Sequence, residues 1–169
     1  MIDRYDAVVV GGGPAGLTAA LVLAAAGRAT ALLDPTPDAR PPAGRTTAVM
    51  RPQAEILARL GAWPEAATDA PLRGLRIVNR PPVGAESEVL FVAEDLGVDC
   101  FAWNVANRDL VDALHARALD RVTLVAGRMA DLRRFGGAWH LVLDDDRILK
   151  ADLVVAADGK RSAVRAALR

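Results

Sequence analysis

Six residues near the start of the chain, Gly11-Gly12-Gly13-Pro14-Ala15-Gly16, follow the apolar run Ala7-Val8-Val9-Val10 and open a stretch rich in alanine and leucine. Their spacing is G-x-G-x-x-G, and the chemistry of that spacing is the holding of phosphate oxygens. Gly11 permits a tight turn out of a strand, a side chain at Gly13 would collide with a pyrophosphate, and Gly16 lets helix and strand pack closely. The free N–H groups of the first helical turn, with the helix dipole, then face the phosphates. Pro14 has no N–H to offer, which is harmless in a first turn. Gly11, Gly13, Pro14, Ala15 and Gly16 are therefore candidate binding residues. Asp34 stands 18 residues after Gly16. Its carboxylate can accept both hydroxyls of a ribose and would repel a 2′-phosphate. A glycine-rich turn beside a surface aspartate is the plainer reading. Strand, helix, strand and acid in register favour a dinucleotide, without saying which one.

A second candidate lies near the other end. Leu153-Val154-Val155-Ala156-Ala157 is an apolar run that ends at Asp158-Gly159, with Ser162 and Arg165 beyond it. By itself this is a turn after a buried strand. Together with the glycine motif it resembles the Asp-Gly signature of the single-component flavoprotein aromatic hydroxylases, the para-hydroxybenzoate hydroxylase superfamily. The resemblance implies that Asp158 lies near the pyrophosphate of FAD and takes part in NADPH use. Two further stretches are similar to the ubiquinone-biosynthesis (polyprenyl phenol) hydroxylases. One is Gly44-Arg45-Thr46-Thr47-Ala48-Val49-Met50, where the resemblance implies that Arg45 meets the cofactor. The other is Phe101-Ala102-Trp103-Asn104-Val105-Ala106-Asn107, which resembles a stretch entering a helix beside FAD and so assigns Asn107 to the cofactor. In this second stretch Asn104 and Ala106 depart from the family's Val and Glu. A surface-loop arginine and a helix N-cap are the plain alternatives for Arg45 and Asn107.

The resemblance covers essentially all 169 residues, but only the first part of the family's length. It implies FAD as cofactor and NAD(P)H as co-substrate. The reaction it implies is hydroxylation by O2 of a small aromatic or phenolic substrate, with a ubiquinone precursor favoured. In that chemistry the flavin reacts and the protein positions it, so no acid–base dyad or nucleophile is expected, and the sequence offers none. The family's later Gly-Asp motif has no match in these residues, and the substrate domain is expected to be incomplete. An alternative expectation is therefore a truncated, non-catalytic dinucleotide-binding module that holds only the ADP part of FAD. An NAD-dependent dehydrogenase domain is disfavoured, because a β-meander leading to Asp158-Gly159 is not part of the usual dehydrogenase plan.

These residues need particular elements to position them. Ala7 to Val10 reads as a buried parallel strand, residues 14–26 as a helix with Gly27 as its C-terminal cap, and residues 30–33 as a second buried strand ending at Asp34. That is a βαβ unit. Residues 35–44 contain four prolines and form a loop. Helices are expected over 53–60 and 109–119, the latter with Leu110, Val111, Leu114 and Leu119 as its apolar stripe. Strands are expected over 75–78, 89–92 and 122–125, and residues 62–73 read as irregular. Strands over 129–135, 138–143 and 147–151 form an antiparallel meander, turning at Gly136-Gly137 and at Asp144-Asp145-Asp146. The three aspartates read as a solvated turn rather than a metal site. A separate buried strand covers 153–157, and a last helix starts near Ser162. The expected class is α/β, a Rossmann-like FAD/NAD(P)-binding domain with a parallel sheet, an antiparallel β-meander and a fragment of a substrate domain. Residues 1–70 and 101–169 form the discontinuous, C-terminally incomplete FAD-binding part, and 71–100 the partial substrate-domain strands.

Composition agrees and excludes several classes. Apolar residues are 52% of the chain and aromatics 4%, which suits helix-on-sheet packing in one domain. Net charge is zero, from 21 basic and 21 acidic residues, so nothing favours nucleic acid or an anionic membrane. Cys100 is the only cysteine, which excludes an internal disulfide and fits a reducing compartment. Nothing places His115 or His140 beside it, so it reads as a packed thiol, and so few Cys and His argue against structural zinc. There is no signal-peptide core, and the apolar stretch 17–26 is too short to span a bilayer. The expectation is a cytoplasmic chain without a transmembrane segment, with peripheral membrane association left open. Unpaired substrate-domain strands would expose sheet edges and favour self-association or a complementing chain.

Overall fold

Ala7 to Val10 forms the second half of strand β1 (Ile2–Val10) in a computed structural model that describes residues 2–169. It is followed by α1 (Pro14–Ala25), β2 (Thr30–Asp34), β3 (Thr46–Met50), α2 (Arg51–Arg59), a 3-10 turn at Glu65–Asp69 and β4 (Pro71–Leu72). Then come β5 (Gly74–Asn79), β6 (Ser87–Val92), a second 3-10 turn at Ala93–Leu96, β7 (Ala102–Ala106) and α3 (Asn107–Ala118). The chain ends with β8 (Thr123–Ala126), β9 (Met129–Phe135), β10 (Ala138–Leu143), β11 (Ile148–Ala156) and α4 (Ala163–Ala167).

The principal sheet has six strands in the order β8-β2-β1-β11-β10-β9. The first four are mutually parallel, and β10 and β9 continue the sheet antiparallel. The two-residue period of a strand sends alternate side chains to opposite faces, and each face has its own core. Val9 and Leu32 join Leu17, Leu21, Leu110 and Leu114 beneath α1 and α3. Val8, Val10, Ala31 and Leu33 join Leu141, Leu143 and Leu149 on the other side. Burial on both faces is why these parallel strands read as unbroken apolar runs. A smaller sheet has the order β3-β7-β4, and β5 pairs only with β6.

The structure departs from the sequence reading at several places. Residues 147–151 and 153–157 are not two strands: β11 is a single strand of nine residues. Asp152, the residue between the two expected strands, has an exposed side chain that meets Arg4 of β1 at 3.1 Å. β11 pairs with β1 along Ile148 to Ala156, and with β10 only as far as Ala151. The stretches around Thr47 and Val105, read only for their family likeness, are antiparallel strand partners. Each is five residues long, too short to show a clear period before its partner is known. The irregular segment 62–73 contains β4, which adds to the free edge of β7. Helix α2 starts at Arg51, with Pro52 in its first turn, two residues before the expected start. The two glycine and aspartate turns do close the meander, with positive φ at Gly136, Gly137 and Asp146.

Candidate functional site

Three glycines of the first motif have three different surroundings. Gly11 leaves β1 with φ 111°, and a Cβ there would lie 2.4 Å from the carbonyl oxygen of Ala157. A Cβ on Gly16 would lie 1.8 Å from the carbonyl oxygen of Gly11. These two positions let β1, the end of β11 and the first turn of α1 approach to backbone contact. Gly13 is different: it is the extended N-cap of α1, and a Cβ there would meet nothing within 4 Å. The open side of the turn is thus at Gly13, where α1 begins without any side-chain cap.

Asp34 ties the end of β2 to that turn. Its Oδ2 accepts the Gly12 N–H at 2.6 Å, and its Oδ1 accepts the Thr36 N–H at 2.8 Å. The neighbouring strand ends are laced together by backbone bonds: Gly11 N–H to Leu33 O, Gly127 N–H to Asp34 O, and Ala157 N–H to Val10 O. Asp158 follows β11 directly. Its Oδ2 accepts the N–H groups of Ala163 at 2.6 Å and Val164 at 3.2 Å, at the start of α4, while Ser162 Oγ caps Arg165 N–H at 2.9 Å. Burial works to raise the Asp158 carboxyl. Hydrogen bonds from the Ser162 hydroxyl and from backbone N–H groups outweigh it and hold the group below its ordinary range. The other oxygen, Oδ1, is buried with no partner among the described residues.

Two clefts flank Asp34. One, of about 330 Å³, is lined by Gly11, Asp34, Gly127, Arg128, Asp158 and Arg161. The other, of about 320 Å³, is lined by Gly12, Gly13, Pro14, Asp34, Arg40 and Asn107, among others. Pro14 also borders a more apolar groove of about 340 Å³ with Ala15, Thr47, Met50 and Ile56. The structure therefore gathers Gly11, Asp34 and Asp158 on one side and Gly13, Pro14 and Asn107 on the other. Gly16 is buried beneath the turn. Arg45 is exposed and lines none of these three spaces. Its backbone carbonyl accepts the Asn107 N–H at 2.9 Å.

Asn107 is not a helix N-cap. Ala106 holds the cap position and Asn107 is the first residue of α3. Its side-chain Oδ1 accepts the Thr47 hydroxyl at 2.6 Å, which joins α3 to β3 beside the cleft. Sequence reasoning passed over Thr36, Arg40, Arg128 and Arg161. Thr36 and Arg40 lie in the proline-rich loop after β2, where composition says only that the chain turns. Among the described residues no group of three or more His, Cys, Asp or Glu could hold a metal ion. No helix among them is long and apolar enough to cross a membrane.

Residues 4–169 match the model of a family described as FAD binding domain. Over 170 residues the chain is 28% identical to ubiquinone hydroxylase UbiM of Neisseria meningitidis, covering 95% of this chain and 37% of that protein. It is 33% identical over 168 residues to ubiquinone hydroxylase UbiL of Rhodospirillum rubrum, covering 95% and 38%. The chain thus spans less than two-fifths of the length of these relatives. Among solved structures, the flavin-dependent monooxygenase PieE in complex with FAD and substrate superposes with a TM-score of 0.76, at 22% identity, over 98% of this chain and 32% of that one. For p-nitrophenol 4-monooxygenase PnpA of Pseudomonas putida the TM-score is 0.73, at 24% identity, over 99% and 44%. At these identities the superpositions establish the fold alone, and the match over residues 4–169 establishes the family: this chain belongs to the FAD binding domain family.

Proposed function

We propose that the chain is the FAD-binding portion of a monooxygenase that hydroxylates an aromatic or phenolic substrate, a ubiquinone precursor being favoured, with NAD(P)H and O2 as co-substrates. The observation that carries this reading is the convergence of the glycine turn, Asp34 and Asp158 at the ends of β1, β2 and β11 in a chain of this family. The names of UbiM and UbiL support the substrate class. On this reading residues 1–70 and 101–169 serve the cofactor, residues 71–100 the substrate side, and the setting is cytoplasmic.

The residues present fit an adenine dinucleotide. The open space at Gly13 leaves room for phosphates against the first N–H groups of α1. The buried, unpartnered Oδ1 of Asp158 lacks a hydrogen-bond donor, which a hydroxyl of the dinucleotide would supply. FAD, when bound, contributes the redox chemistry. The chain's own part is binding and orientation. Asp34 anchors the turn through Gly12, and α3 presents Asn107 with its carbonyl fixed by Thr47.

Titration of the chain with FAD, ADP and NAD, followed by calorimetry, tests this reading. FAD is expected to bind this chain only weakly and to be displaced by ADP, and preference for NAD over FAD would overturn the assignment. A second reading, a module that holds only the ADP part of FAD, is favoured by one observation: the polar residues gathered here all surround the glycine turn. It requires equal affinity for ADP and FAD, whereas tighter FAD binding supports the first. The isolated chain is expected to be inactive, so the substrate assignment is tested by NAD(P)H oxidation and O2 uptake in a longer, flavin-loaded protein that contains it. Both are expected to depend on an added phenolic ubiquinone precursor, and indifference to it would sink that part.

A further inference from the structure

The loop between β2 and β3 is fastened to α3 by one charged pair. Arg40 Nε donates to Asp112 Oδ1, and one turn along the helix His115 Nε2 lies 3.4 Å from Asp38 Oδ1 without a hydrogen bond. Asp112 and His115 are three residues apart, so they share one face of α3. Arg40 Nη1 donates to the backbone carbonyl of Asp38 at 2.9 Å. Its Nη2 has no hydrogen-bond partner among the described residues. For an arginine in a loop it is well enclosed, with a side-chain exposure of 26%. It borders the same cleft as Gly12, Gly13 and Asn107, and among the residues lining that cleft it is the only cation.

We propose that Arg40, held in place by Asp112, binds the pyrophosphate of the dinucleotide as the charged counterpart of the α1 N-terminus. This deepens the FAD reading and rests on it. A pyrophosphate diester brings two negative charges into a cleft that already contains Asp34. The end of α1 offers the equivalent of only about half a positive charge. Arg40 supplies a full one on a rigid fork, two of whose nitrogens are committed to holding its position. Asp112 does not cancel it, because Arg108 lies 4.0 Å from the other oxygen of Asp112 and leaves the trio net positive. Asp112 is a positioning residue acting through Arg40. Arg45, which the family likeness singled out, borders neither cleft beside Asp34.

The test is to titrate adenosine and ADP into the full chain and its variants by calorimetry, with thermal melting as the folding control. Arg40→Met is expected to weaken ADP about tenfold or more while leaving adenosine within about twofold. Arg40→Lys should restore part of the loss, and Asp112→Asn should weaken ADP less than Arg40→Met does. The salt dependence of ADP binding should flatten in Arg40→Met. Unchanged ADP affinity in Arg40→Met would overturn the proposal. So would equal losses for adenosine and ADP, which would mean that Arg40 only holds the loop, or a phosphate-dependent loss confined to Arg45→Met. If the parent chain bound neither ADP nor FAD, the FAD reading itself would fail and take this inference with it.

Discussion

A methyl group at Gly16 would sit 1.8 Å from a backbone oxygen, and one at Gly13 would touch nothing. One motif thus contains a position that the fold keeps bare and a position that stands open at the proposed phosphate site, and substitutions separate the two. Gly16→Ala forces α1 away from the turn and should cost about 1–3 kcal/mol by chemical denaturation. Gly13→Val occupies an extended backbone position with φ −72°, so no strain arises and stability should fall only by the poorer N-cap, about 1 kcal/mol. ADP binding should nonetheless disappear, and calorimetry that finds it unchanged would remove this turn from the site. Asp158 separates along a different axis. Its carboxyl is held below the ordinary value of 3.8 in the folded chain. Its contribution to stability is therefore complete above that value and is lost as the pH falls through the lowered one. Asp158→Asn keeps an oxygen that can accept the Ala163 N–H but carries no charge. The stability gap between parent and variant, read from urea melts, should shrink as the pH is taken from about 6 towards about 3. A constant gap would mean that the charge contributes nothing to holding α4.

At the scale of elements, much of the cofactor-binding frame was legible because its signals are local. Ala7 to Val10 of β1 and Ala31 to Leu33 of β2 are consecutive apolar residues, α1 opens on the glycine motif, and the meander turns on Gly136-Gly137, whose backbones take the positive φ that a tight hairpin needs. What could not be read depends on a partner distant in sequence. Asp152 stands between two expected strands until Arg4 of the adjacent strand is beside it. β3 and β7 become strands by pairing with each other across more than fifty residues. Asn107 reads as a cap until Thr47 is found bonding its side chain. Arg40 is one charged residue in a proline-rich loop until α3 brings Asp112 to it. β11 offers a direct comparison of the two kinds of contact. The Arg4–Asp152 pair is exposed on both sides, so Asp152→Asn should change stability by less than about 1 kcal/mol. Leu149, on the same strand, is buried to 1% exposure, and Leu149→Ala should cost about 2–5 kcal/mol. If denaturation ranked them the other way, β11 would be held by the ion pair rather than by its core face.

The whole molecule is uneven in how its layers are covered. The six-stranded sheet has apolar cores on both faces, and Gly11, Asp34 and Asp158 of the proposed cofactor site stand at the carboxyl ends of its parallel strands β1, β2 and β11, where ligands of open α/β sheets gather. The β5–β6 hairpin has no such cover. Leu75, Ile77, Val89 and Phe91 align across its two strands, and each is about half exposed. A two-stranded ribbon without a packed face is marginal by itself, whereas β1, β2 and β11 can open only with the core. Native-state hydrogen exchange should therefore divide the chain. The amides of Val8, Val9, Leu32 and Leu149 should exchange at the rate of global unfolding, and those of β5 and β6 by local opening, orders of magnitude faster. Ile77→Lys should leave the slow class unchanged, since no core residue leans on that side chain. Leu114→Ala, on the inner face of α3 at 0% exposure, should speed the slow class by the full destabilisation of about 2–5 kcal/mol. Protection of the hairpin equal to that of β1 would show that β5–β6 is part of the main cooperative unit, and the division drawn from burial would be wrong.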